Sequence, residues 1–407
     1  ADFNGDGVLD LATTNFESDD VSILIGLGDG TFQSEFRVNV GTEPESLTAA
    51  DLNQDGNVDL AVANRKTDVL SILFGDGTGQ FTAGPDAAVS SLSRTQSVRH
   101  GDVNRDGIVD LVTTNELNFV EVLLGNGDGT FQSSVNVPVG EDAEMVVLED
   151  LTGDGILDLA TANRFSNDVS IRIGTGAGSN FLGPETRIPV EFDPVMLVAG
   201  DWNSDGLLDI AVANRGDIAG LPNGIDGSIS LILNRGNGTF QTASPARLLA
   251  DDVPTTIAVA DFDNDGLPDL ITANQSSTAN GGSITVLAGL GTGVFERGTP
   301  IDQKARSLAV GDLNGDGRLD VVSVNGRDIG LFSGVEIPGS LSVFLGLGDG
   351  EFDLAVQFDI GMNPISVALA DFNGDGTLDV VTANELPDDD NSVNGTLSVL
   401  MGNGDGT

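Results

Sequence analysis

Eight times along this 407-residue chain, oxygen-bearing side chains occupy the first, third, fifth and ninth places of a nine-residue segment with glycine at the sixth. In the copy at residues 51–59 these are Asp51, Asn53, Asp55 and Asp59, with Gly56 where the chain must turn sharply and a Cβ would intrude. Four such oxygens and the main-chain carbonyl of the seventh residue, Asn57, can converge on one hard cation. Calcium suits the set best, because it accepts six to eight oxygens in a flexible shell whereas magnesium demands a tight octahedron.

The other copies supply the same places. The first has Asp2, Asn4, Asp6 and Asp10 with the carbonyl of Val8; the third has Asp102, Asn104, Asp106 and Asp110 with Ile108. The fourth has Asp150, Thr152, Asp154 and Asp158 with Ile156; the fifth has Asp201, Asn203, Asp205 and Asp209 with Leu207. The sixth has Asp261, Asp263, Asp265 and Asp269 with Leu267; the seventh has Asp312, Asn314, Asp316 and Asp320 with Arg318. The eighth has Asp371, Asn373, Asp375 and Asp379 with Thr377. Two copies depart from the pattern: Thr152 should weaken its site, and the extra charge of Asp263 should tighten its own.

Something regular must hold these loops. Their starts are separated by 49, 51, 48, 51, 60, 51 and 59 residues, and four strand-like runs recur within each period. One run leads into the loop (364–370), a second leaves it (59–64), a third alternates (21–25), and a fourth follows a glycine-rich turn (131–139). A period near 50 without helical spacing predicts an all-β chain. The expected fold is a β-propeller of four-stranded antiparallel blades, one domain over residues 1–407. Eight blades are favoured over seven, since seven would leave one repeat over. The phenylalanines after the turns (Phe32, Phe81, Phe131, Phe181, Phe240, Phe295, Phe352) and Trp202, at the second loop place, are expected in the core between blades.

Composition narrows the function. With 63 Asp and Glu against 17 Lys and Arg the net charge is -46, which argues against nucleic acid as a partner. Eight divalent cations would offset roughly a third of that charge. There is no cysteine, so disulfides, thiolate metal sites and a cysteine nucleophile are excluded. No stretch approaches the roughly 18 apolar residues of a membrane-spanning helix. The chain starts beside a loop and ends at Gly-Asp-Gly-Thr407, inside a repeat, so an excerpt of a longer protein is expected and its targeting is unread. His100 is the single histidine and has no nucleophile at a recognisable spacing.

Eight Asp-x-[Asn/Asp/Thr]-x-Asp-Gly-x-x-Asp loops, each followed by an aliphatic strand ending in Asn, resemble the FG-GAP family. The nearest type is the bacterial FG-GAP-like or VCBS repeat, related to the propeller of integrin α subunits. EF-hands and dockerins share one such loop but need an acid at position twelve, where this chain has Thr13, Val62, Thr113, Thr161, Val212, Thr272, Ser323 and Thr382. The resemblance implies one calcium per loop, held between the first two strands of a blade by the residues named above. Since those ligands are intrablade and no base or nucleophile recurs beside them, the ion is expected to be structural and not catalytic. It also implies an extracellular, secreted or cell-surface setting, as adhesion or binding module of a larger protein.

The connections between second and third strands lengthen in the last four repeats, near Arg215, Gln275, Gly326 and Glu385, and are the expected surface for a protein or glycan ligand. Arg215-Gly216-Asp217 spells an adhesion tripeptide, but Arg65 and Arg164 occupy the same place in their repeats, so Arg215 reads as repeat grammar. A lectin-like propeller is the alternative, against which stand the absence of Tyr and the single Trp. The propeller of a polysaccharide-degrading enzyme is the other; a converging acid–base set is not visible, and the charge would repel acidic polysaccharide.

Overall fold

The computed structural model describes residues 1–90, 94–176, 181–216, 227–249, 253–275, 282–325, 339–385 and 395–407. Among these, every regular element is a β-strand. The strands form eight antiparallel sheets, each following the chain in simple up-and-down order. In the second, Pro44–Ala50, Asp59–Asn64, Val69–Gly75 and Phe81–Ala83 lie side by side in that order, with Ala87–Ala88 also pairing to the third strand. These are the eight blades the repeat predicts. The first sheet, Leu11–Asn15, Asp20–Leu24 and Phe36–Asn39, has three strands, as has the last, Pro364–Ala370, Asp379–Asn384 and Thr396–Leu400. The chain divides into two compact units, Ala1–Pro189 with Gly236–Gly238, and Val190–Arg235 with Thr239–Thr407. Blades one to four belong to the first unit and blades five to eight to the second.

The second strand of each repeat shows why the sheets stack. Asp59–Asn64 reads Asp-Leu-Ala-Val-Ala-Asn and every residue is buried. Successive side chains point to opposite faces. Leu60 and Val62 therefore join the cluster with Val21 and Ile23 of blade one, while Ala61 and Ala63 join that with Val98 and Leu111 of blade three. A strand covered on both faces must be apolar along its whole length, which is the pattern this segment has. Equivalent clusters lie between blades three and four, five and six, six and seven, and seven and eight.

The outer strand differs from expectation. In blade three Phe131 makes an isolated bridge to Gly125, and regular pairing resumes only at Val135–Pro138 instead of running through 131–139. An edge strand has a ladder on one side only, so short and broken pairing costs little there.

Candidate metal centres

Each loop folds around its own carboxylates. The Asp at position one accepts the N–H of the position-six glycine at 2.7–3.0 Å in all eight copies. The Asp at position five accepts the N–H of position seven at 2.8–3.0 Å in all eight. At position three the side-chain oxygen of Asn4, Asn53, Asn104, Asn203, Asp263, Asn314 and Asn373 accepts the N–H of position five. Thr152 makes no such bond, and its Oγ1 is buried with no hydrogen-bond partner. The position-six glycines lie at φ of +81 to +89°, as their place in the sequence requires.

This arrangement fits a hard cation. In the four-acid copy, oxygens of Asp261, Asp263 and Asp265 lie within 4.8 Å of one another, close enough to share one ion. Burial and the neighbouring Asp265 and Asp261 charges push the Asp263 carboxyl up. A bound divalent cation would oppose that shift. Thr152 offers a donor oxygen that the protein itself leaves unsatisfied. A calcium ion here would be held by the loop's own oxygens and would supply charge neutralisation and a fixed turn.

The ninth residue plays a larger part than a ligand list suggests. These aspartates are the buried members of the set: Asp59, Asp110, Asp158, Asp209, Asp269, Asp320 and Asp379 are fully buried and Asp10 nearly so. One carboxylate oxygen accepts the N–H of position two (position three at Asp158), which closes the loop. The other accepts, at 2.7–2.9 Å, the N–H at the start of the glycine-rich turn that follows the third strand. Asp59 thus ties Leu52 to Gly75, and Asp269 ties Phe262 to Gly289.

Burial pushes Asp59, Asp110, Asp209 and Asp269 up to about 6, and raises Asp158 and Asp320, against the pull of those N–H groups. A carboxyl whose folded pKa lies above its unfolded value binds its proton more readily when folded. Its contribution to stability is complete below the unfolded value near 4 and is lost as pH rises through about 6. Protein stripped of divalent ions on a chelating resin is therefore expected to melt at a higher temperature at pH 5 than at pH 7.5. With millimolar calcium the order should reverse, because protons then compete with the ion. Calorimetry at the two pH values checks both statements.

The loops also touch the neighbouring blade. Position two is an apolar anchor, Phe3, Leu52, Val103, Leu151, Trp202, Phe262, Leu313 or Phe372, and each is buried. Phe3 meets Phe81 edge-on with centroids 5.2 Å apart; Trp202 lies 6.3 Å from Phe295, and Phe262 lies 6.1 Å from Phe352. Phe131 and Phe181 pack in the clusters of Leu52 and Val103. Phe81, Phe131, Phe181, Phe295 and Phe352 lie between blades as expected, where the preceding blade's loop offers them an apolar seat; Phe240 is buried, and Phe32 is only half-buried.

Position four was not legible as special. It is left-handed in every copy, at φ of +57 to +73°, although Gln54, Arg105, Ser204 and Asn264 stand there as well as glycine. The signal was present in the remaining four copies, which have Gly5, Gly153, Gly315 and Gly374. Also unread was the role of the Asn that ends each second strand. Asn64, Asn163, Asn214 and Asn384 donate Nδ2 to Ser71, Ser170, Ser230 and Ser398 on the third strand, at 2.9–3.1 Å. Ser71, Ser170 and Ser398 in turn accept an N–H from Gly41, Gly140 and Gly361, where the chain arrives from the preceding blade.

The ends of the strands away from the loops carry ion pairs. Arg65 pairs with Glu116 at 3.1 Å and Glu45 at 3.9 Å, Arg164 with Asp142 and Glu144 at 3.9 Å, and Arg215 with Asp193 at 3.0 Å. All three arginines follow the second strand's Asn, and Arg215 is held by Asp193 at the start of its own blade; Asp217 of the tripeptide lies outside the described residues. Most of the four long connections also lies outside them: 217–226, 276–281, 326–338 and 386–394. His100 Nδ1 is 2.6 Å from Thr48 Oγ1 on the inner strand of the neighbouring blade, and Trp202 is 1% exposed.

Comparison with known proteins places this geometry. The profile of the FG-GAP-like repeat matches six times, at residues 2–62, 51–113, 102–161, 150–212, 214–272 and 329–382. No curated protein sequence matches the chain. Among solved structures, it is similar to the periplasmic gluconolactonase of Pseudomonas aeruginosa (TM-score 0.55, 16% identity, 87% of this chain and 97% of that one). It is also similar to an Agrocybe aegerita lectin that recognises non-reducing terminal N-acetylglucosamine (0.50, 18%, 86% and 90%). A Lactobacillus plantarum protein is a third (0.50, 15%, 83% and 91%). At these identities the likeness is one of fold, shared by a lactonase and a lectin.

Proposed function

Because the chain belongs to the FG-GAP-like repeat family, we propose that it is a calcium-stabilised, non-catalytic propeller serving as a binding module of an extracellular or cell-surface protein. The observation that carries this reading is the eightfold recurrence of one loop geometry. In each copy the acids at positions one and five accept main-chain N–H groups of their own loop while position nine braces the blade, and in the sixth copy oxygens of Asp261, Asp263 and Asp265 lie within 4.8 Å of one another. Repetition in every blade supports a structural role for the ion, since a catalytic ion is needed once. The ligands we assign are those given above, one calcium per loop. Ligand capture falls to the long connections near Arg215, Gln275, Gly326 and Glu385, with a protein or a glycan as partner.

The lectin reading has one observation in its favour, the fold shared with the N-acetylglucosamine-binding lectin. A lactonase reading has the same kind of support. Calcium-loaded protein tested on a glycan array and for hydrolysis of gluconolactone separates the three. We expect lactone hydrolysis at the buffer rate; turnover that rises in proportion to protein would overturn the non-catalytic reading. Saturable binding to one glycan class would replace the protein-binding reading by the lectin one.

A further inference from the structure

The cation loops are not independent of one another. In the second unit, the turn at residues 289–295 is gripped from two sides. Gly289 donates its N–H to Asp269 of its own blade's loop at 2.7 Å. Four residues on, Gly293 donates to the carbonyl of Trp202, in the loop of the preceding blade, at 2.8 Å, and Phe295 packs on the Trp202 ring. A Cβ on Gly291 would lie 3.2 Å from Ser204 Oγ, so turn and loop are already in close approach.

The next joint repeats the arrangement. Gly346 donates to Asp320 at 2.8 Å, Gly350 to the carbonyl of Phe262 at 3.3 Å, and Phe352 packs on Phe262. In the first unit Gly75 donates to Asp59 and Phe81 packs on Phe3, while Gln54 Nε2 reaches the carbonyl of Gly107 in the following loop at 3.1 Å. Position two of one loop thus seats a turn whose other end is fixed by position nine of the next.

Resting on the calcium reading above, we propose that a cation loop followed by a blade of the same unit is a two-blade site and that neighbouring loops within a unit fill with positive cooperativity. Binding in the loop at 261–269 fixes Asp269, Asp269 fixes the turn, and the turn holds the backbone of position two and lies against the side chain of position four in the loop at 201–209. The ordering cost is then met in part before the second ion arrives. The result is a chain of nearest-neighbour couplings, as in other repeat proteins, and each coupling is reciprocal.

The test is hydrogen exchange of the full chain across a calcium titration, reading the protection midpoint of each loop peptide. Asp265→Ala should abolish calcium-dependent protection at 261–269 and raise the midpoint at 201–209 by about fivefold or more, with that at 371–379 unmoved. Asp205→Ala should raise the midpoint at 261–269 by the same factor. An unchanged midpoint at 201–209 in Asp265→Ala overturns the coupling while leaving calcium binding intact. Absence of calcium-dependent protection in every wild-type loop overturns the calcium reading itself, and the coupling with it. Phe295→Leu, which loosens the seat without touching a carboxylate, should uncouple the two midpoints; if they still move together, the turn is not the link.

Discussion

Replacing Asp59 with alanine will destabilise the protein by about 3–5 kcal/mol, and it will do so even after all divalent ions have been removed. The reason lies in the two N–H groups that its fully buried carboxylate serves, Leu52 at 3.0 Å and Gly75 at 2.9 Å. Alanine leaves both donors without a partner where water does not reach, and each orphaned donor costs about 1–3 kcal/mol. The joint between loop and turn is lost as well. Asp55→Ala is the contrast: Asp55 is exposed, so its loss should change metal-free stability by less than about 1 kcal/mol and matter only when calcium is present. Urea unfolding of the two variants, with and without calcium, gives four values. Equal effects of the two substitutions in metal-free protein would contradict the view that Asp59 braces the blade in addition to serving as a ligand, whereas Asp55 serves as a ligand alone.

Trp202→Ala will cost about 3–5 kcal/mol, the range for removing a large buried aromatic. Trp202 belongs to the cluster of Ile229, Leu231, Ile257 and Leu287, and it seats Phe295, so the cavity would open at the joint between blades five and six. Trp202→Phe should be far milder, within about 1 kcal/mol. Phe fills this place at Phe3, Phe262 and Phe372, and the Trp202 Nε1 donor is itself buried with no partner, so its loss relieves one penalty while volume is lost. Thermal melting of the pair decides this. A phenylalanine variant as unstable as the alanine one would show that the indole is required for more than volume.

Much of the fold could be read from the chain because its physics repeats. Asp59–Asn64 is apolar throughout since it is covered on both faces, and the strand before the loop, Pro364–Ala370, falls where the sequence places it. Legibility fades where geometry is not encoded by residue type. Position nine reads as a fourth ligand, yet its burial and its bond to a turn some 16 residues on come from tertiary packing. Gln54 at φ +59° has no side-chain signature of a left-handed residue; the loop imposes it. The seats between blades could be anticipated only in part: the phenylalanines after the turns read as core, but their partner, position two of the preceding loop, is a contact across about 80–90 residues.

The central claim is that calcium in these loops holds the blades together. Calorimetric unfolding with calcium and with excess EGTA, with calcium counted on the same sample, tests it most directly. The account predicts about eight ions per chain and a melting temperature that falls by more than about 10 °C on chelation, since a ligand that binds only the folded state stabilises it by mass action. One or two ions, with a melting temperature that EGTA does not move, would mean that the loops are turns stabilised by their own hydrogen bonds alone.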